Sequence, residues 1–239
     1  MQAILSSLRK AVDEFNMIQD GDKIAVGLSG GKDSITLLLS LKTLQLFYPN
    51  KFEILAISIN PGFEDFNSSE IKSFCKNHDI KCHVENTYIK QIVFDERKET
   101  NPCSLCANLR RGILNSVAVS YGFNKIALGH SMDDMIETFL LNLIYGGRIH
   151  TFAPVNYQNR SGITVIRPLV LTEEKDIKNF IRKSEIIPMD KCCPVDGYSK
   201  REDMKNLISE FKKDIPYIKS NLLGAIRRSK IDGWEKTSH

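Results

Sequence analysis

The sequence predicts an α/β protein: a doubly wound, mostly parallel sheet followed by a helical C-terminal extension. Three observations carry that expectation. Short apolar runs of strand length alternate with helix-period segments along most of the chain, a Gly-rich turn joins the first such run to a buried helix, and only helical segments follow Pro188. Residues Ile4, Leu5, Leu8, Ala11, Val12 and Phe15 fall at helical spacing and predict an opening amphipathic helix, which Gly21 ends. Strands are expected over 24–28, 54–59, 81–84, 125–128 and 163–166, each a short apolar run. The segments between them read as helices over 35–46, 67–78, 103–121, 133–145 and 173–183, with a polar stretch running up to Pro102. This alternation is that of parallel strands joined by crossover helices, which cover both faces of a sheet. Two further helices are expected near 200–212 and 217–229.

At 239 residues, 42% hydrophobic and 26% charged, the chain has the composition of an ordinary globular protein and suits one generous domain. The longest uncharged apolar run, residues 35–41, is far short of the ~20 residues a membrane span requires. Charged residues Arg9, Lys10, Asp13 and Glu14 stand where a secretory signal would need its apolar region, so a cytosolic protein is expected. In that compartment six cysteines suggest metal or redox chemistry rather than a disulfide framework.

The Gly-rich turn, Ser29-Gly30-Gly31-Lys32-Asp33-Ser34, lets backbone N–H groups approach an anion at the positive end of the following helix. It departs from the Walker pattern, because Asp33 stands where Ser or Thr would follow the lysine. Farther on, Cys103-Ser-Leu-Cys106 precedes Arg110 and Arg111. Two thiols three residues apart at a helix start point to one centre, and the helix end and the arginines favour their thiolates. A metal and a redox disulfide fit this pair equally. Cys192 and Cys193 supply a further ligand if a metal is held, giving three protein ligands and an open position. Cys75 and Cys82 have apolar neighbours and read as inert buried thiols. Gly129-His130-Ser131-Met132-Asp133-Asp134 sits where a strand end enters a helix, the place at which parallel sheets collect ligands. Asp133 and Asp134 are expected as nucleotide and metal contacts, although adjacent acids there are also ordinary helix caps.

The Ser29–Ser34 stretch is similar to the signature of the PP-loop ATP pyrophosphatase superfamily. With Cys103-Ser-Leu-Cys106, Leu109-Arg-Arg-Gly-Ile-Leu114, Ala127-Leu-Gly-His130, Tyr145-Gly-Gly-Arg148, Ile166-Arg-Pro-Leu169 and Glu174-Lys-Asp-Ile177, the chain over roughly residues 20–210 resembles the tRNA 2-thiocytidine synthetase (TtcA-type) family. The resemblance implies an adenine nucleotide alpha hydrolase-like fold, ATP with Mg2+, and a 4Fe-4S cluster held by three cysteines. The implied reaction adenylates the C2 oxygen of an anticodon-loop cytidine in tRNA and replaces it with sulfur. It further implies that Ser29, Gly30, Gly31, Lys32, Asp33 and Ser34 hold the pyrophosphate part of ATP, Lys32 by neutralising phosphate charge and Asp33 by positioning magnesium. Gly129, His130 and Asp134 would add nucleotide contacts, and Asp33, Asp133, Cys103, Cys106 and Arg110 would serve the chemistry. Cys103, Cys106 and Cys193 match the cluster ligands, although Asp196 replaces a second cysteine of the family pattern and Cys192 is added before it. Ser131-Met132 departs from the His-Arg that family members often carry.

Adenylation makes chemical sense, since it converts the C2 oxygen into AMP, a group that sulfur can expel. A metal-held hydrosulfide and a persulfide on Cys103 or Cys106 both use the same cysteines. Between residues 200 and 230 nine bases stand against four acids, an excess expected to serve as an RNA backbone footprint, with a solvated helical face as the other reading. The organisation expected is an N-terminal helix at 1–20, an ATP-binding thiolation domain at 21–190, and a third-cysteine loop with a basic helical tail at 191–239. The partners expected are tRNA, ATP and a sulfur donor, either a cysteine desulfurase product or free sulfide, in a homodimer without membrane attachment. The competing readings are thiolation of a uridine, a PP-loop ligase acting on a small molecule, and a zinc-stabilised RNA-binding protein.

Overall fold

The computed structural model describes residues 1–97, 102–189, 200–229, 231 and 233–234. Its sheet has strand order β3-β2-β1-β4-β6-β5. The strands are β1 (Asp22–Gly27), β2 (Phe52–Asn60), β3 (Cys82–Asn86), β4 (Lys125–Ala127), β5 (Val155–Gln158) and β6 (Ile163–Ile166). All pairings are parallel except the edge pair of β5 with β6. The helices are α1 (Gln2–Glu14), α2 (Lys32–Leu44), α3 (Ser68–Asn77), α4 (Pro102–Ser120), α5 (Met132–Gly146), α6 (Glu174–Lys183), α7 (Lys200–Asp214) and α8 (Ile218–Arg228). No helix among the described residues is long and apolar enough to cross a membrane.

The strand order reverses between β1 and β4, so the crevice at their carboxyl ends is the switch point where such sheets bind ligands. Crossover helices run back along the sheet, which places the first turns of α2, α4 and α5 at that same carboxyl edge. Two cores hold the layers. Ala25, Ile57, Ile126 and Val165 pack with Leu114, Val117 and Ala118 of α4 on one face. On the other, Leu37, Leu38 and Leu41 of α2 join Leu8 of α1, Ile177 of α6 and Ile226 of α8. The terminal helices are thus part of the main core. Trp234, 2% exposed, stacks edge-on to Phe15 at 5.6 Å and donates its indole N–H to the Phe152 carbonyl at 3.1 Å.

At the opposite edge of the sheet, Lys125 forms a buried ion pair with Asp22 at 2.6 Å and donates to the Met17 carbonyl at 2.9 Å. Asp22 also accepts from Gln19 N and the Asn124 side chain, so its lone pairs are well used. Those added bonds are what make a buried pair tolerable, since desolvation of two charges otherwise exceeds their attraction.

Two elements differ from the sequence expectation. The polar stretch before Pro102 contains a π-helical turn, Gln91–Glu96. Val155–Gln158 forms an additional antiparallel strand whose middle residues face solvent, so it lacks an apolar run.

Candidate functional site

Gly30 has φ 83°, a left-handed conformation suited to glycine, and it turns the chain from β1 into α2. Gly31 caps α2 with no side chain to offer, leaving the first N–H groups of the helix for an anion. The loop is tied from within. Ser34 Oγ donates to the Gly31 carbonyl at 2.9 Å and receives Ser29 N–H at 3.2 Å, and Ser29 Oγ lies 3.1 Å from it. Ser29 and Ser34 therefore shape the turn. Met189 closes over it, donating its N–H to the Gly30 carbonyl at 3.0 Å, and a Cβ on Gly30 would meet its side chain at 2.8 Å.

Lys32 Nζ is held between Asp33 at 2.9 Å and Glu174 at 3.0 Å. Burial alone would lower its pKa, but these two carboxylates outweigh it and raise it, so the ammonium is retained. Burial pushes the Asp33 carboxyl up despite Lys32. One of its oxygens, Oδ1, is sealed from solvent and has no hydrogen-bond partner. Glu174 moves the other way. Burial opposes it, but Lys178 and Lys32 hold it down at about 2. A lysine beside helix N–H groups and a carboxylate with an unused oxygen suit a magnesium-bound polyphosphate.

Gly129 acts by size. A Cβ there would lie 3.0 Å from the Asp33 backbone, so its absence lets the loop after β4 approach the first turn of α2. His130 follows, its ring 4.9 Å from that of Phe152, with Nδ1 buried and unpartnered. Burial and then Arg167 bring its pKa down to about 4, which leaves the imidazole neutral near pH 7.

The adjacent acids have intramolecular partners. Asp134 forms a capping box with Ser131 and faces Arg201 at 3.4 Å. Asp133 accepts Glu174 N–H at 2.7 Å, capping α6, and pairs with Lys219 of α8. Both thus fasten neighbouring helices. Three of the nine tail bases are spent the same way: Arg201, Lys219, and Arg227, which pairs with Glu14 at 3.0 Å. These hold α7 and α8 to the core, so they are not free RNA contacts, and an Arg227 variant would disturb the fold.

Glu137, 2% exposed, lies 3.6 Å from Arg201. Burial and then Asp134 push its carboxyl up to about 7, with Asp133 adding to this and Lys205 and Arg201 opposing it. The folded state therefore holds this proton more tightly than the unfolded chain does. Its contribution to stability is full below about pH 4.5 and declines as pH rises through about 7. Wild-type stability is expected to fall by about 2–3 kcal/mol more than that of Glu137→Gln between pH 5 and 8, measured by denaturant unfolding. Equal pH dependence in both would show that Glu137 ionises normally.

Cys103 and Cys106 occupy the first turn of α4 and share a face, Cys103 exposed and Cys106 half-buried. Two thiols so placed fit as two donors of a metal cluster. Cys192 and Cys193 lie outside the described residues, and among the described residues no three potential ligands gather into a metal site. Arg110 follows one turn later, its Nε buried and unpartnered. Cys75 is a buried and Cys82 a half-buried free thiol.

A glycine-rich anion loop at the switch point, with paired thiols at the same sheet edge, defines a nucleotide-binding protein of the PP-loop class, and the PP-loop domain family matches residues 3–190. A tRNA-cytidine(32) 2-sulfurtransferase from Geobacter metallireducens is 40% identical over 93% of this chain and 88% of its own length. One from Geotalea daltonii is 41% identical over 93% and 90%. The chain belongs to this tRNA 2-sulfurtransferase family of PP-loop enzymes. Among solved structures, the U34-tRNA thiolase NcsA from Methanococcus maripaludis with its [4Fe-4S] cluster superposes with a TM-score of 0.76 at 25% identity, covering 97% of this chain and 80% of that one. An NH3-dependent NAD synthetase from Campylobacter jejuni shares the fold at a TM-score of 0.50 and 14% identity, covering 100% and 96%.

Sequence reasoning passed over four contributors. Glu174 and Arg167 lie within the 174–177 and 166–169 motifs without a role that sequence assigns, while Met189 and Phe152 give no sequence signal at all.

Proposed function

We propose that this chain is an ATP-dependent tRNA 2-thiolation enzyme acting on a cytidine of the anticodon loop. The observation that carries this reading is the presence of the lysine-bearing anion loop and the Cys103/Cys106 pair at one carboxyl edge of the sheet. Membership of the family gives the substrate. Lys32, the Gly30–Gly31 turn and the first N–H groups of α2 would hold the β and γ phosphates, and the Asp33 carboxylate would help hold Mg2+. The cytidine C2 oxygen attacks the α phosphorus and pyrophosphate leaves. Sulfur then forms its bond to C2 as the C2–oxygen bond breaks, and AMP departs with that oxygen.

Cys103 and Cys106, with Cys193 as third ligand, hold a 4Fe-4S cluster. When bound, that group supplies an iron position able to hold sulfide-level sulfur as a nucleophile. Arg110, one turn beyond the thiols, offsets negative charge beside them, and neutral His130 offers a hydrogen bond without a proton to release. Asp133 and Asp134 act by positioning the helices around the crevice. The sulfur donor is a cysteine desulfurase product or free sulfide, the enzyme works in the cytoplasm, and it assembles as a homodimer.

Nucleoside mass spectrometry of tRNA from cells with and without the gene tests this reading. Loss of 2-thiocytidine on deletion is expected. Loss of a thiouridine instead would move the substrate, and an unchanged thionucleoside profile would overturn the reading in favour of a small-molecule ligase.

A further inference from the structure

Arg167 is the first residue beyond β6, at the carboxyl edge of the sheet, and Pro168 restricts its backbone to extended conformations. Its guanidinium lies 4.9 Å from the Phe152 ring centroid, and Nη1 donates to the Ala153 carbonyl at 2.6 Å. Its Nε is buried without a partner. His130 occupies the same ring at 4.9 Å, and its Nδ1 is likewise buried and unpartnered. The nearby charge is of the same sign. Burial and then Arg111 lower Arg167 to about 10, and among the described residues no carboxylate forms an ion pair with it.

A buried guanidinium with an orphaned Nε, like-signed charge from Arg111 in its field and no paired carboxylate among the described residues is electrostatically incomplete. An anion with several acceptor oxygens completes it, and the guanidinium fork matches phosphate in shape. We propose that Arg167 and His130, both against the Phe152 ring, form with the added charge of Arg111 a phosphate-ester site that holds a backbone phosphate of the RNA next to the nucleotide being thiolated. This rests on the tRNA-thiolation reading. RNA is favoured over ATP as the source because β4 stands between β6 and the β1 loop, where Lys32 and the helix N–H groups already serve the nucleotide.

The test uses the cluster-loaded enzyme under anaerobic conditions, with end-labelled unmodified tRNA in a salt series and, separately, a non-hydrolysable ATP analogue without tRNA. Arg167→Gln and Arg111→Gln are each expected to weaken tRNA binding by roughly 10-fold and to lower its salt slope by about 1, with ATP-analogue affinity unchanged. Arg167→Lys should recover part of the loss. Arg111 is exposed and donates to Asn108 one turn back in the same helix, so its variant keeps the test decisive if Arg167→Gln does not fold. Weakened ATP-analogue binding with tRNA affinity intact would assign the same site to the nucleotide's phosphate. Wild-type affinity for both in both variants would overturn the site. A wild-type enzyme that binds no tRNA would refute the thiolation reading instead, and the ATP-analogue arm alone would then decide the site.

Discussion

Lys32→Ala is expected to lower tRNA-dependent pyrophosphate release by at least ~10²–10³-fold, the scale seen when a preorganised charge facing the transition state is removed. Lys32 is the cation at the anion loop, and its ammonium is fixed between Asp33 and Glu174. Without it, negative charge building on the departing pyrophosphate would face two carboxylates and only the backbone N–H groups. Folding should be preserved, because Lys32 is about a third exposed and Glu174 keeps Lys178 as a partner, so little stability is at stake. Single-turnover release of pyrophosphate with tRNA present, alongside a thermal melt, separates the two effects. Release at the wild-type rate would remove Lys32 from the chemistry.

Cys103→Ala and Cys106→Ala should each abolish thiolation while leaving pyrophosphate release in place. The two thiols share one helical face on the first turn of α4, at the sheet edge but on a different element from the nucleotide loop. Losing either removes a cluster ligand without touching the residues that bind ATP. Anaerobic iron and sulfide analysis is expected to show loss of the cluster in both variants, with Cys82→Ala as the retained control. Full iron content in either cysteine variant would assign the pair to something other than cluster binding. Loss of pyrophosphate release together with thiolation would mean that the two half-reactions depend on one another more closely than this geometry suggests.

The central strands, the crossover helices and the anion loop were legible because each joins a clear periodicity to a glycine punctuation. Ile24 to Leu28 followed by Gly30 and Gly31 is such a case. Val155–Gln158 was not legible, since an edge strand with exposed central residues has little apolar content to display. At the site, sequence located the residues but not their partners. Asp133 and Asp134 are expected from sequence as nucleotide and metal contacts, with helix caps as the other reading, and only the contacts with Glu174 N–H, Lys219 and Ser131 show what they hold within the fold. Gly129 is expected from sequence as a nucleotide contact, and the structure adds that its small size permits the close approach of two backbones. The tail bases carried a charge count without addresses, and three of them turn inward to acids far away in sequence. Arg167 illustrates the same limit, because the orphaned Nε that makes it chemically interesting exists only after folding.

The chain has one tryptophan, and Trp234 sits between the Phe15 ring and the Phe152 carbonyl. Its intrinsic fluorescence therefore reports a single environment without any label. Phe152 carries His130 and Arg167 on its ring and holds Trp234 by its backbone, so one residue joins the chromophore to the crevice. Emission from the unmodified enzyme thus gives an optical readout of how the C-terminal end seats against the fold as RNA is added.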